Sequence, residues 1–301
     1  MHNRFKRISV SSVALILFSI LTGLAFQANE KQAKIVIVKS DNLDQYNEAF
    51  NGFVAALEEA GIQFQTKIFT LKTGDQLIVD SLTTVSSEMP DAILTIGTKA
   101  TQEVSKRITS VPLYFSMVMN PEKNGITNSD TSIVPNLSGV RLDVPIETQL
   151  KLVKRVFTNL KAIGILYHPL QDSQIFRQCM DEAQKLNIKI APGEIQTEED
   201  IPTALKNIRA KSNVLLLISN QYVLNYSSLK YILMYGLSNN FPVIGLSEFH
   251  VKAGALLAIR ADYHDSGRQA AELMVQALSN QQSESKVILS PDFVKVPNRR
   301  L

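Results

Sequence analysis

The side chains that could do covalent or metal chemistry are few in this 301-residue chain, and their spacing points away from both. His168, His250 and His264 are expected at loop positions, without the i, i+4 repeat or the acidic neighbours of a metal site, so no metal and no cofactor is expected. The fingerprints GxSxG, GxGxxG, GK[ST] and HExxH are absent, and no catalytic residue is assigned. A hydrolase using Asp143, Glu147 or His168 stands as a rival that turnover assays would separate. Cys179 falls between Phe176 and Met180 on a helical apolar stripe, which reads as core rather than as a reactive thiol.

What remains is recognition chemistry. Polar and aromatic residues recur directly after short apolar runs: Ser40, Asp41 and Asn42; Gly97, Thr98 and Lys99; Ser116 and Met117; Tyr167; Asn220, Gln221 and Tyr222; Ser247, Glu248 and Phe249. Gly97 and Thr98 open a helix after a buried strand, which supplies free amides and a hydroxyl for a carboxylate or polar group, and equally supplies ordinary turn chemistry. Tyr167, Tyr222 and Phe249 each read singly as packing, and together as flat faces on which a ligand can stack. Asp44, at a helix start, reads first as an amino-terminal cap.

The elements that must position these loops alternate regularly. Apolar runs at 34–39, 63–69, 92–96 and 113–117 read as strands, with helical periods at 44–60, 74–87 and 98–108 between them. The period then disappears between Asn120 and Asn136, where a crossing between lobes is placed, and one more run follows at 137–142. It restarts with helices at 146–157, 173–186, 198–210 and 224–238 and strands at 162–167, 188–191, 214–218 and 243–246. Such alternation means parallel sheets covered on both faces, and open parallel sheets bind ligands beyond the carboxyl ends of their strands. Two such lobes facing each other make a cleft lined by the residues named above.

Composition narrows the setting. Arg4, Lys6 and Arg7 precede an apolar stretch from Val13 to Leu24, with Gly23 and Ala25 two apart, which is the order of a secretory signal peptide over 1–28, cleaved after Ala25 or Ala28. An uncleaved anchor over 8–26 is the alternative. Removing that leader leaves 28 basic and 28 acidic residues, so nothing favours nucleic acid. The lone Cys179 lies far from the leader, which disfavours a lipid anchor and suits a soluble periplasmic protein; a monomer is expected.

Five stretches in order, LDQYNEAFNGF, GTKATQ, MNPEKNG with the later NLSGV, IGILYHPLQDS and VKAGALLAIRADYHDSGRQAAELM, resemble the substrate-binding proteins of ABC transporters, in the group holding the tryptophan and tyrosine binders. The resemblance implies a type I periplasmic-binding-protein fold: α/β, two Rossmann-like lobes with parallel sheets joined by a three-crossing hinge. It implies lobe I over 33–141 plus 264–284 and lobe II over 142–263 plus 285–301. Its partners would be a small-molecule ligand and a transporter permease, or alternatively a membrane signalling receptor. One departure stands out: members holding an amino acid often read Thr-Asp-Asn where this chain has Ser219, Asn220 and Gln221. A buried ammonium needs a compensating charge, so the ligand is either uncharged at that end or paired with Glu248 or Asp41.

Overall fold

The computed structural model describes residues 32–71, 82–126, 137–279 and 288–299. The expected leader over 1–28 lies outside the described residues, as does most of the helix expected at 74–87, of which 82–87 are helical. In chain order the strands are β1 (Ala33–Lys39), β2 (Phe64–Thr70), β3 (Ala92–Ile96), β4 (Leu113–Val118), β5 (Leu137–Arg141), β6 (Ile163–Tyr167), β7 (Ile190–Glu194), β8 (Val214–Leu216), β9 (Val243–Gly245), β10 (Leu257–Ala261), β11 (Ile288–Leu289) and β12 (Phe293–Pro297). The helices are α1 (Asp44–Glu59), α2 (Thr98–Arg107), α3 (Ile146–Val156), α4 (Ser173–Lys185), α5 (Ile201–Lys211), α6 (Gln221–Leu224), α7 (Tyr226–Ser238), α8 (Glu248–Lys252) and α9 (Tyr263–Leu278).

They build two six-stranded sheets. The first runs β2-β1-β3-β4-β5-β11 and is parallel throughout; the second runs β7-β6-β8-β9-β10-β12, parallel except that β12 pairs antiparallel with β10. Because strand side chains alternate, β1 sends Ile35 and Ile37 into one core with α1 and α9, and Val36 and Val38 into another with α2. That two-sided burial is why the strand reads as a continuous apolar run. The second sheet repeats the arrangement, with Ile163 and Ile165 packed against Leu150, Val153 and Cys179. The fold is the expected two-lobed α/β architecture.

Four local expectations are corrected. The aperiodic stretch around 120–136 joins β4 to β5, adjacent parallel strands of one sheet, and the chain crosses between lobes only after β5. Residues 285–301 do not all join the second lobe: Ile288 and Leu289 extend the first sheet by pairing with Gly139 and Val140, and the last crossing follows at 290–292. The strand expected at 188–191 sits at 190–194, carrying Pro192 and Gly193, because β7 is an edge strand and an edge tolerates a residue that cannot donate. Asp44 is the first helical residue of α1, whose cap position falls on Leu43 with no side-chain hydrogen bond.

Three crossings form the hinge, at 142–145, Asp262 and 290–292, and two of them are tied together by Asp262 N donating to Asp292 O at 2.7 Å. Near the first, Asn120 N donates to Asp143 Oδ1 at 2.7 Å while Arg141 Nε lies 2.9 Å from Asp143 Oδ2. Cys179 is fully buried, and burial pushes its thiol up to about 12. Iodoacetamide at pH 8 is therefore expected to leave the folded protein unlabelled and to label it stoichiometrically in denaturant; mass spectrometry reads the difference.

Candidate functional site

Each sheet ends, at its carboxyl edge, in the loops that carry the candidate residues. In the first lobe Ser40 N donates to Ile96 O at 2.9 Å, and Ser40 Oγ accepts from Ala100 N at 2.8 Å, so the loop after β1 is pinned to the start of α2. Gly97 joins β3 to α2 at φ +96°, and a Cβ there would lie 2.6 Å from Ser40 Oγ and 2.7 Å from the Tyr46 hydroxyl. Gly97 N donates to Ser116 O, and Thr98 Oγ1 accepts from Met119 N at 3.1 Å. With Ala100 N taken by Ser40, the amides of Thr98 and Lys99 are the orphan donors that a helix start presents.

The sequence reading missed Tyr46. Its hydroxyl is raised above the usual phenol range by burial first and by the Asp41 carboxylate second, against a lowering hydrogen bond with Ser40. Its place in the first turn of α1, beside the loop after β1, is the signal that could have found it. Ser116 and Met117 were expected in the cleft, but both are enclosed: Ser116 is fully buried, and Met117 packs with Leu94 and Tyr114. Ser116 and Met117 lie in β4, a central strand buried along its whole length, whose register with β5 breaks between Phe115 and Val118, where Met117 takes φ +62°. Asp41 and Asn42 are exposed, with Asn42 N donating to Asp41 Oδ1 at 2.7 Å.

The second lobe presents a turn after β6 and another after β8, neighbouring strands. Asn220 caps α6: its Oδ1 accepts from Tyr222 N at 2.7 Å and Val223 N at 3.0 Å, while its Nδ2 donates to Asp172 Oδ2. Asp172 Oδ2 also accepts from His168 N at 2.8 Å, and His168 Nδ1 accepts from Leu170 N and Gln171 N, each at 3.2 Å. The Tyr222 ring stacks on His168 at 5.4 Å, and Gln221 Nε2 donates to Gln171 Oε1 at 2.8 Å. Tyr167 spends its ring on Phe176, parallel at 3.8 Å. Phe249 is exposed at the rim, Ser247 caps α8 through His250 N, and Glu248 pairs with Arg260 at 2.8 Å. The structure thus brings Asn220, Gln221 and Tyr222 together with His168, Gln171 and Asp172, a partnership between turns 48 residues apart that periodicity does not reveal. Lys123, on the loop after β4, reaches across to Gln171 O at 3.5 Å.

The rival hydrolase residues are committed elsewhere: Asp143 to Asn120 and Arg141, Glu147 to Lys151 at 2.5 Å, and His168 to its own turn. Among the described residues no group of His, Cys, Asp and Glu converges as a metal site, and no helix is long and apolar enough to cross a membrane.

Comparison with known proteins agrees with this geometry. Residues 32–291 match the family described as ABC transporter substrate binding protein. The chain belongs to that family. Among its relatives, a tyrosine-binding protein of Clostridioides difficile (strain R20291) is 25% identical over 282 residues, covering 89% of this chain and 81% of the relative. Among solved structures, a ligand-free, open substrate-binding protein with adhesive properties from Clostridium difficile superimposes with a TM-score of 0.76 at 21% identity, covering 89% of this chain and 92% of that one. The ABC domain of Streptococcus pneumonia in complex with L-Trp gives a TM-score of 0.59 at 18% identity, covering 87% and 90%. This substrate-binding protein therefore has the type I periplasmic-binding-protein fold.

One site loop carries a pH signature. His250 is buried, its Nδ1 accepts from Leu246 N at 2.9 Å, and burial lowers the imidazole below its usual 6.5. The unfolded chain takes up this proton near 6.5 and the folded chain only at lower pH, so this contribution to stability is complete above about 6.5 and is lost as pH falls toward the folded value. His250→Asn, whose Oδ1 reproduces the acceptor, is expected to lower the melting temperature at pH 7.5 while flattening its decline toward pH 5.5, measured by calorimetry.

Proposed function

We propose that this substrate-binding protein captures a small, amino-acid-like molecule between its lobes and delivers it unchanged to an ABC transporter permease. It works outside the cytoplasm as a soluble monomer exported by its leader, without catalysis. The observation that carries this reading is the placement of two preorganised walls at the carboxyl edges of two sheets joined only through narrow crossings. The first wall, where Ser40 and Gly97 fix the start of α2, offers the free amides of Thr98 and Lys99, suited to a carboxylate. The second, Asn220 and Tyr222 against His168, offers a flat ring and polar groups. The tyrosine and L-Trp named for those similar proteins each carry a carboxylate for the first wall and an aromatic ring for the second. Ligand docks on one wall, the other lobe rotates over it, and the closed form is what a permease recognises.

Titration calorimetry with L-tyrosine, L-tryptophan and aliphatic amino acids tests the reading, with small-angle scattering alongside. At least one amino acid should bind and reduce the radius of gyration at saturation. Binding without compaction would remove the closure step, and conversion of the ligand during incubation would reinstate an enzyme.

A further inference from the structure

We propose that Asp172 is the acidic partner of the ligand, so that the cleft accepts a molecule bearing a protonated amine; this rests on the function proposed above and narrows its ligand class. Asp172 is 3% exposed. A carboxylate removed from water to that degree needs a compensating charge or a full set of hydrogen bonds. Its Oδ2 is satisfied by His168 N and Asn220 Nδ2, and its position at the amino end of α4 adds the partial positive charge of the helix start. Oδ1 receives no hydrogen bond among the described residues, and no lysine, arginine or histidine there forms an ion pair with Asp172. Lys123, arriving from the other lobe, donates to the Gln171 carbonyl instead.

The other acids of the cleft loops are excluded one by one. Glu248 is held by Arg260, and Asp143 by Arg141. Asp41 is exposed, so water already solvates it. Asn220 is a positioning residue: its Oδ1 is committed to two amides of α6 and its Nδ2 to Asp172, which fixes the carboxylate against the turn. The stacked pair Tyr222 and His168 stands beside it, giving a flat face next to a buried negative charge. An ammonium group on a ligand with an aromatic or otherwise flat body supplies the missing cation at Oδ1.

The test uses calorimetric titration of the whole protein and of Asp172→Asn with L-tyrosine, L-tryptophan and 3-(4-hydroxyphenyl)propionate, which keeps the ring and carboxylate of tyrosine but lacks the amine. Asparagine preserves the acceptor for His168 N and Asn220 Nδ2, so the turn stays formed. Wild type should bind an amino acid at least about 30-fold more tightly than the amine-free analogue, and Asp172→Asn should weaken the amino acid by about as much and erase the preference. An unchanged affinity and preference in Asp172→Asn would overturn the assignment to Asp172 while leaving the amino-acid reading standing. Equal wild-type affinity for tyrosine and its amine-free analogue would overturn it without any variant. Failure of wild type to bind either amino acid while binding an uncharged or purely acidic molecule would overturn both readings together.

Discussion

Gly267→Val is expected to lower the melting temperature by roughly 10 °C and to loosen the return of the chain to the first lobe. Helix α9 lies between two hinge crossings and docks on α1 with backbone almost touching backbone: a Cβ at Gly267 would sit 1.7 Å from Ala49 O and 2.9 Å from Phe53 N. The contact is reciprocal, since a Cβ at Gly52 would sit 1.9 Å from His264 O. Neither obstacle is the end of a flexible side chain, so the helices themselves must separate. Overpacking of this kind costs about 3 kcal/mol or more, and in a chain of this size each kcal/mol corresponds to about 2–4 °C. Ala270, Ala271 and Met274 would lose contact with the same core, because they lie on the face of α9 that the glycine brings close. Gln276→Ala, on the exposed face of that helix, should leave the melting temperature nearly unchanged. Thermal unfolding followed by circular dichroism distinguishes the two, and a Gly267→Val protein that melts like wild type would refute the close-packed crossing.

That crossing also shows which parts of the fold are legible in a sequence and which are not. The runs at Lys34–Lys39 and Ala92–Ile96 announce buried parallel strands because both of their faces are covered, and apolar residues are then required at every position. β11 escapes the same reading, since two residues at a sheet edge leave no period to detect. Loops after strands are legible as candidate walls, because a parallel sheet exposes its helix starts at one edge whatever the side chains are. Individual side chains are another matter. Ser116 and Met117 occupy such a position, yet β4 is a central strand and both are enclosed by its neighbours. Tyr167 offers a ring to the cleft in sequence and gives it to Phe176 in three dimensions. Asp172, which we propose in place of the carboxylate missing around Ser219–Gln221, lies on a loop whose own sequence reads as an ordinary turn. Only the pairing of β6 beside β8 brings these two turns together, and strand order is a tertiary fact that local pattern does not encode.

The second large effect separates ligand binding from fold stability at a single atom. Gly97→Ala should weaken amino-acid binding at least tenfold, about 1.4 kcal/mol, because two penalties meet where the first wall is built. At φ +96° and ψ 157° the backbone is in a region essentially restricted to glycine, which costs any other residue about 1–3 kcal/mol. The added methyl also collides with Ser40 Oγ and the Tyr46 hydroxyl, displacing the oxygen that holds Ala100 N and swinging the start of α2 away from its aim. Gly61→Ala supplies the comparison: its φ is +71°, but nothing lies within 4 Å of the new Cβ, and it follows α1 at the end remote from the cleft loops. That variant bears backbone strain without a collision, so it should melt a few degrees lower and bind as wild type does. If both variants lost affinity in proportion to their loss of stability, the weakening would reflect the fold as a whole. A tenfold loss confined to Gly97→Ala means that the amides opening α2 grip the ligand, and that their geometry depends on the missing side chain.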